Sequence, residues 1–299
     1  MVHTEDFSFL ILALVAFLLV KAGFDSKAFD NIPKLLFNLC FPSLILISVS
    51  GMDGDISQQD ALFMAAFSVV YTLTVYPLAR TALRRYKHTA RKDNLSLNMI
   101  MGNITFVGLP FIYLFFGTWG VRLAIFFGAV QDFFIWSICY GMFAGKGNFK
   151  QTLKAILNPC FIAIISGFVL AGTGTEIPAV IRTPVNMLAG MTVPLALLCI
   201  GSVLAQNTDA LKKLDRDAVL SVVIKTFVLP AIVFVILTAT GVDRALVLLS
   251  TFITALPVGL FSVILAKEFG KDVAFANVVF VLSTLIFILT CVALFTIAS

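Results

Sequence analysis

Between Val278 and Ala298 no residue carries a formal charge. A helix over that run, rising 1.5 Å per residue, is long enough to cross the roughly 30 Å hydrocarbon layer of a bilayer. The run has company: Phe7 to Val20 is nearly as apolar, and across the 299 residues 60% are hydrophobic and only 12% charged, with a mean hydropathy of +1.03. Such a balance leaves a soluble protein of this size without a polar coat. An outer-membrane barrel is excluded as well, because its strands alternate polar and apolar residues whereas these runs are continuous. The fold class is therefore an all-α polytopic membrane protein with short loops.

Polar breaks divide the chain into ten expected spans, at about 7–24, 33–50, 60–79, 95–116, 121–144, 155–173, 184–205, 218–239, 243–266 and 273–297. The first is a span and not a signal peptide, since Glu5 and Asp6 stand where a basic n-region belongs and no small-x-small cleavage site follows. Cys40, Cys139, Cys160, Cys199 and Cys291 all fall in apolar stretches as small hydrophobes. With the N-terminus outside, seventeen of the 21 lysines and arginines lie on the inner side and only Arg122, Arg182 and Arg244 outside, Lys225 being within span eight. That bias places both termini outside a cell membrane and reads the Arg80–Lys92 cluster as topology and lipid-headgroup contact, not nucleic-acid binding.

Five spans per half would give the halves opposite orientations, and the prolines support such a repeat. Pro33, Pro42, Pro77 and Pro110 are followed by Pro184, Pro194, Pro230 and Pro257 at offsets of 151, 152, 153 and 147 residues. Residues 1–148 are the first expected repeat and 149–299 the second.

Two places in this pattern invite chemistry. Span four contains GNITFVGLP, Gly102 to Pro110, and span nine contains STFITALP, Ser250 to Pro257. Proline removes a backbone donor and disfavours helix in the residue before it, so both helices are expected to break and to cross, leaving unpaired backbone groups around a polar cavity. Two half-helix N-termini converging there favour an anion, with Asn103, Thr105, Ser250 and Thr254 as neutral hydrogen-bonding groups beside Pro110 and Pro257. Two charges also sit at hydrocarbon depth: Lys225 in span eight, five residues before Pro230, and Asp132 in span five. Lys225 is the candidate anion-binding group, Asp132 the candidate proton-coupling group, and the two are expected to pair when no substrate is bound.

Membrane enzymes are the rival class. His3 and His88 both lie outside the hydrocarbon, so no intramembrane Ser-His dyad or HExxH zinc site can be assembled, and one midplane aspartate does not make an aspartyl protease. No catalytic residue, metal or cofactor is expected.

GNITFVGLP, FPSLIL after Asn38, KTFVLP from Lys225 to Pro230, VPLALLCIGSVLA in span seven and LPVGLFSVILAKEFG from Leu256 to Gly270 together resemble the auxin efflux carrier family, over nearly the whole chain. The resemblance implies two inverted five-helix repeats, a scaffold of spans 1, 2, 6 and 7, and a mobile transport domain of spans 3–5 and 8–10 that crosses near Pro110 and Pro257. It also implies homodimers, small carboxylate substrates and alternating access of the elevator type. Where many plant carriers have a long loop between spans five and six, this chain has GKGNFK, which favours a short bacterial-type relative. The rival readings are a sodium-coupled carrier similar to the bile-acid symporters and a receptor with the same fold.

Overall fold

The computed structural model describes residues 10–50, 57–143, 159–268 and 270–298. The start of the first apolar run, Asp53, Asp55, the GKGNFK segment and the expected boundary at 148/149 lie outside the described residues, as does the side chain of Trp136.

Among the described residues all regular elements are helical: α1 (Leu10–Lys21), α2 (Ile32–Leu35), α3 (Phe41–Ser50), α4 (Gln58–Ala82), α5 (Thr89–Ile100), α6 (Leu109–Phe143), α7 (Pro159–Thr173), α8 (Ala179–Gly190), α9 (Thr192–Gln206), α10 (Arg216–Val223), α11 (Leu229–Ala239), α12 (Arg244–Ala255), α13 (Phe261–Glu268) and α14 (Val273–Ala298). Six helical stretches are long and apolar enough to cross a membrane, namely Ser26–Ser50, Gln58–Ala82, Ile104–Asp132, Ala179–Gln206, Arg216–Ala239 and Val273–Ala293. The protein is a multi-pass membrane protein. Ile11–Lys21, Pro159–Thr173 and Arg244–Ala255 are shorter apolar helices.

Three of the prolines leave one local signature. Leu36–Cys40, Ile104–Gly108 and Ile224–Val228 are each a single π turn, and each ends two residues before a proline, Pro42, Pro110 and Pro230. The proline ring clashes with the carbonyl four residues back and brings no N–H to meet it. The ladder absorbs the clash by widening one turn: Phe41, Leu109 and Leu229 donate their N–H groups five residues back, to Leu36, Ile104 and Ile224. Pro110 and Pro230 thus bulge their helices without stopping them.

Gly117 turns α6 back on itself, with φ 62° and ψ −159°. Twenty-four residues of straight helix would separate Ile104 from Gly128 by about 36 Å, yet a Cβ built on Gly128 would lie 3.6 Å from Ile104 Cδ1. Spans four and five are therefore joined at one glycine, where the left-handed backbone excludes most other residues.

Helices approach most closely at small residues, as expected where lipid is as apolar as the packing surface. A Cβ on Gly201 of α9 would stand 2.0 Å from the Ala13 carbonyl oxygen of α1, and one on Gly167 of α7 would stand 2.7 Å from Val49 Cβ of α3. These contacts knit α1 to α9 and α3 to α7, with α8 also against α3. Further neighbours run through α4, α5, α6 and α10 to α14, filled by Phe111, Phe127, Phe252 and Phe287, and they meet the first set where α6 packs on α3 and α9. Leu62, Val70, Val180, Val235 and Leu289 face outward, an apolar exterior suited to lipid.

Candidate functional site

The site begins where two helices stop. α5 ends at Ile100 and the chain runs through Met101–Asn103 before helix resumes at Ile104; α12 ends at Ala255 and α13 starts at Phe261. Pro257 explains the second interruption, since it holds Leu256 in extended geometry, φ −52° and ψ 143°. The two extended segments pair antiparallel with Gly102 opposite Val258. The Asn103 N–H donates to the Pro257 carbonyl at 2.8 Å, and the Gly259 N–H donates to the Met101 carbonyl at 3.3 Å. A third backbone donor, the Val258 N–H, is taken by Ser283 Oγ at 3.1 Å. Backbone released from two helices is thus satisfied by the opposite break and by one serine of α14, which is what apolar surroundings require.

The first break falls at the start of the GNITFVGLP motif and not at its proline. Pro110, expected at the crossing, stands inside α6, and the interruption falls at Met101–Asn103, where there is no proline. The two segments pack closely against Leu256: a Cβ on Gly102 would be in ordinary contact with Leu256 Cβ at 3.5 Å, and one on Gly108 would displace the end of that side chain, Leu256 Cδ1, at 2.7 Å. Asn103 is buried and caps the resumed helix, its Oδ1 accepting the Phe106 N–H at 3.3 Å. Thr105 lies in that first turn, partly buried. Pro257 is at the crossing itself. Thr254 is buried one turn before it, its hydroxyl donating to the Thr251 carbonyl at 2.9 Å. Ser250 is buried too, but its hydroxyl points to Met64 Sδ at 3.6 Å.

Lys225 arrives from the π turn Ile224–Val228 and is only 1% exposed. Its Nζ donates to the Thr254 carbonyl at 3.0 Å and lies 5.8 Å from the centroid of the Tyr71 ring. The Tyr71 hydroxyl in turn donates to the Met99 carbonyl at 2.8 Å, in the last turn of α5. The ammonium group therefore sits at the C-terminal end of α12, where the helix dipole is negative and a cation is favoured, and beside the tyrosine that bonds the end of α5. The expected pairing with Asp132 is not formed: Asp132 is exposed on α6, and among the described residues neither group takes part in an ion pair. A carbonyl and a ring face hold Lys225 in place of the carboxylate.

Tyr71 was not singled out in the sequence, although its place six residues before Pro77 in an apolar run marks it as a polar group at depth. Outside the apolar spans, charge gathers around the start of α5. Arg91 bonds Asp215 at 2.5 Å and Asp272 at 2.8 Å, and Asp93 receives Arg80 at 2.5 Å and Lys271 at 2.7 Å. Tyr86 donates to Asp217. Partial burial, this hydrogen bond and the Asp217 charge push the Tyr86 hydroxyl up to about 12. Burial raises the Asp272 carboxyl, but the Phe275 N–H and the Arg91 guanidinium outweigh it and hold the group below the usual carboxylate range. These bonds tie α4, α5, α10 and α14 together at one end.

A family profile described as membrane transport protein matches the chain twice, over residues 1–152 and 147–295. A relative described as an uncharacterized transporter of Methanocaldococcus jannaschii is 26% identical over 294 residues, covering 91% of this chain and 93% of its own.

Proposed function

This chain belongs to the membrane transport protein family, that of the auxin efflux carriers, and on that premise we propose that it is a secondary carrier of small organic anions, binding a carboxylate at the crossing of its two interrupted helices. The observation that carries the proposal is Lys225: a fully buried ammonium held by a neutral carbonyl and a ring, not by a carboxylate, leaves an anion to be supplied from outside the chain. A charge so placed costs a few kilocalories per mole unless it is balanced, and an incoming carboxylate balances it. The N-termini at Ile104 and Phe261 add fixed partial positive charge, and Asn103 and Thr105 stand at the first of them as neutral groups.

Movement by an elevator is part of the same proposal. The close packing of α1 on α9 and of α3 on α7 and α8 supports a scaffold, and the charge network tying α4, α5, α10 and α14 supports a second body that moves as one piece. Inverted repeats, termini outside and a homodimer complete the reading. Asp132 is its coupling group, an exposed carboxyl on an apolar helix that forms no ion pair among the described residues. Counterflow of radiolabelled carboxylates in proteoliposomes tests the proposal, and running it with and without a sodium gradient separates it from a sodium-coupled carrier. A protein that binds carboxylates without counterflow is a receptor.

A further inference from the structure

α5, which leads into the crossing, and the elements packed on it carry buried polar side chains with nothing to bond among the described residues. Asn98 is fully buried, and neither its Oδ1 nor its Nδ2 has a hydrogen-bond partner among the described residues. The hydroxyls of Thr72, Ser221, Thr226 and Ser262 are equally unpartnered, and all four residues are at most 5% exposed. They stand on different elements, yet those elements meet: α4, α10, the π turn Ile224–Val228 and α13 all pack against α5, which carries Asn98. Asn98 adjoins Met99, whose carbonyl holds Tyr71, and Thr226 adjoins Lys225.

A buried amide left with both ends free costs more than one hydrogen bond returns. Five such residues, on α5 and on elements that pack against it, leave buried polar atoms unmet among the described residues. An isolated cation would satisfy the amide oxygen only, and a bare carboxylate the amide nitrogen only. A hydroxyl does both, donating to Oδ1 and accepting from Nδ2.

Resting on the reading that Lys225 binds the substrate carboxylate, we propose that Asn98 is a specificity residue of the same site, and that the substrate is a small carboxylate bearing a further hydroxyl group. The carboxylate pairs with Lys225 and the hydroxyl with the Asn98 amide, while the surrounding hydroxyls complete its shell. A site built for a hydroxyl rejects the analogue that lacks it, because the unmet groups stay buried.

The test is calorimetric titration of the purified protein with two pairs of acids, lactate against propionate and 3-hydroxybutyrate against butyrate, repeated on Asn98→Ala and Asn98→Leu. The hydroxy acid of at least one pair is expected to bind tenfold or more tighter in the parent. Both variants should lose that preference while binding the plain acid as before, which also shows that they are folded. Equal binding of both members of each pair to the parent, or a preference that survives in Asn98→Leu, would mean that these groups hold only internal water and would overturn the proposal. Loss of all binding in the variants would overturn it too, by making Asn98 structural. If the parent binds no carboxylate of any kind, the reading of Lys225 falls first and this proposal with it.

Discussion

Lys225 Nζ and the backbone carbonyl of Thr254 lie 3.0 Å apart, and through that bond a π turn on one helix is fastened to the end of another just before its interruption. The turn exists because Pro230 displaces the ladder, and the carbonyl is open because Pro257 prevents α12 from continuing. Two prolines on different helices thus create one cation site.

Substituting Gly201 tests the closest helix contact. The Ala13 carbonyl oxygen would stand 2.0 Å from a new Cβ, so Gly201→Ala must push α1 from α9. Overpacking of this kind typically costs about 1–3 kcal/mol. Thermal unfolding in detergent should show a clear fall in Tm, while Gly190→Ala, where a Cβ meets nothing within 4 Å, should leave Tm unchanged.

The charge network should give the protein a stability optimum bounded on both sides. Asp272 has a depressed folded pKa, so its contribution is present above the unfolded carboxylate pKa of about 4 and is lost as pH falls through the folded value. Tyr86 is raised to about 12, so its contribution is complete below about 10, where the unfolded phenol titrates, and disappears as pH rises toward 12. Arg91→Gln removes the partner of Asp215 and Asp272. Melting curves against pH should show a lower Tm at neutral pH and a smaller fall of Tm on acidification than in the parent, and an unchanged acid limb would detach Asp272 from that arm's stability.

Much of this site was legible before the structure, and the parts that were not have physical reasons. Lys225 stood out because charge is costly at hydrocarbon depth, and the break in span nine followed from Pro257. The break in span four falls at the glycine end of its motif and not at Pro110, because a proline in a packed helix can be absorbed by a π turn, as at Ile104–Gly108, whereas the interruption at Met101–Asn103 is fixed by partners on the other segment. The pairing of Lys225 with Asp132 was inferred from charge alone, and side-chain direction decided otherwise. Asn98 passed unnoticed inside LSLNMI because one neutral amide hardly changes the hydropathy of a span; only its lack of a partner reveals it.

Orientation is open to chemical labelling. With single cysteines introduced into a cysteine-free variant, Thr175→Cys should react with an impermeant maleimide added outside intact cells and Lys212→Cys should not; both positions are exposed. The reverse pattern would invert the expected topology.

Asp132→Asn keeps the size of the side chain and removes its ability to carry a proton. In proteoliposomes the variant should exchange labelled carboxylate at the parental rate yet fail to accumulate it against its gradient when a pH gradient is imposed. Accumulation equal to the parent would reduce Asp132 to a surface residue without a coupling role.

Lys225→Met keeps the length of the stem and removes the charge, and Lys225→Arg keeps the charge in a planar fork. Calorimetric titration of carboxylates into both variants and the parent, with flux measured on the same preparations, should show binding and transport lost in Lys225→Met, with Tm held within a few degrees, and altered selectivity in Lys225→Arg. Carboxylate binding in Lys225→Met as tight as in the parent would contradict the placement of the substrate at this crossing.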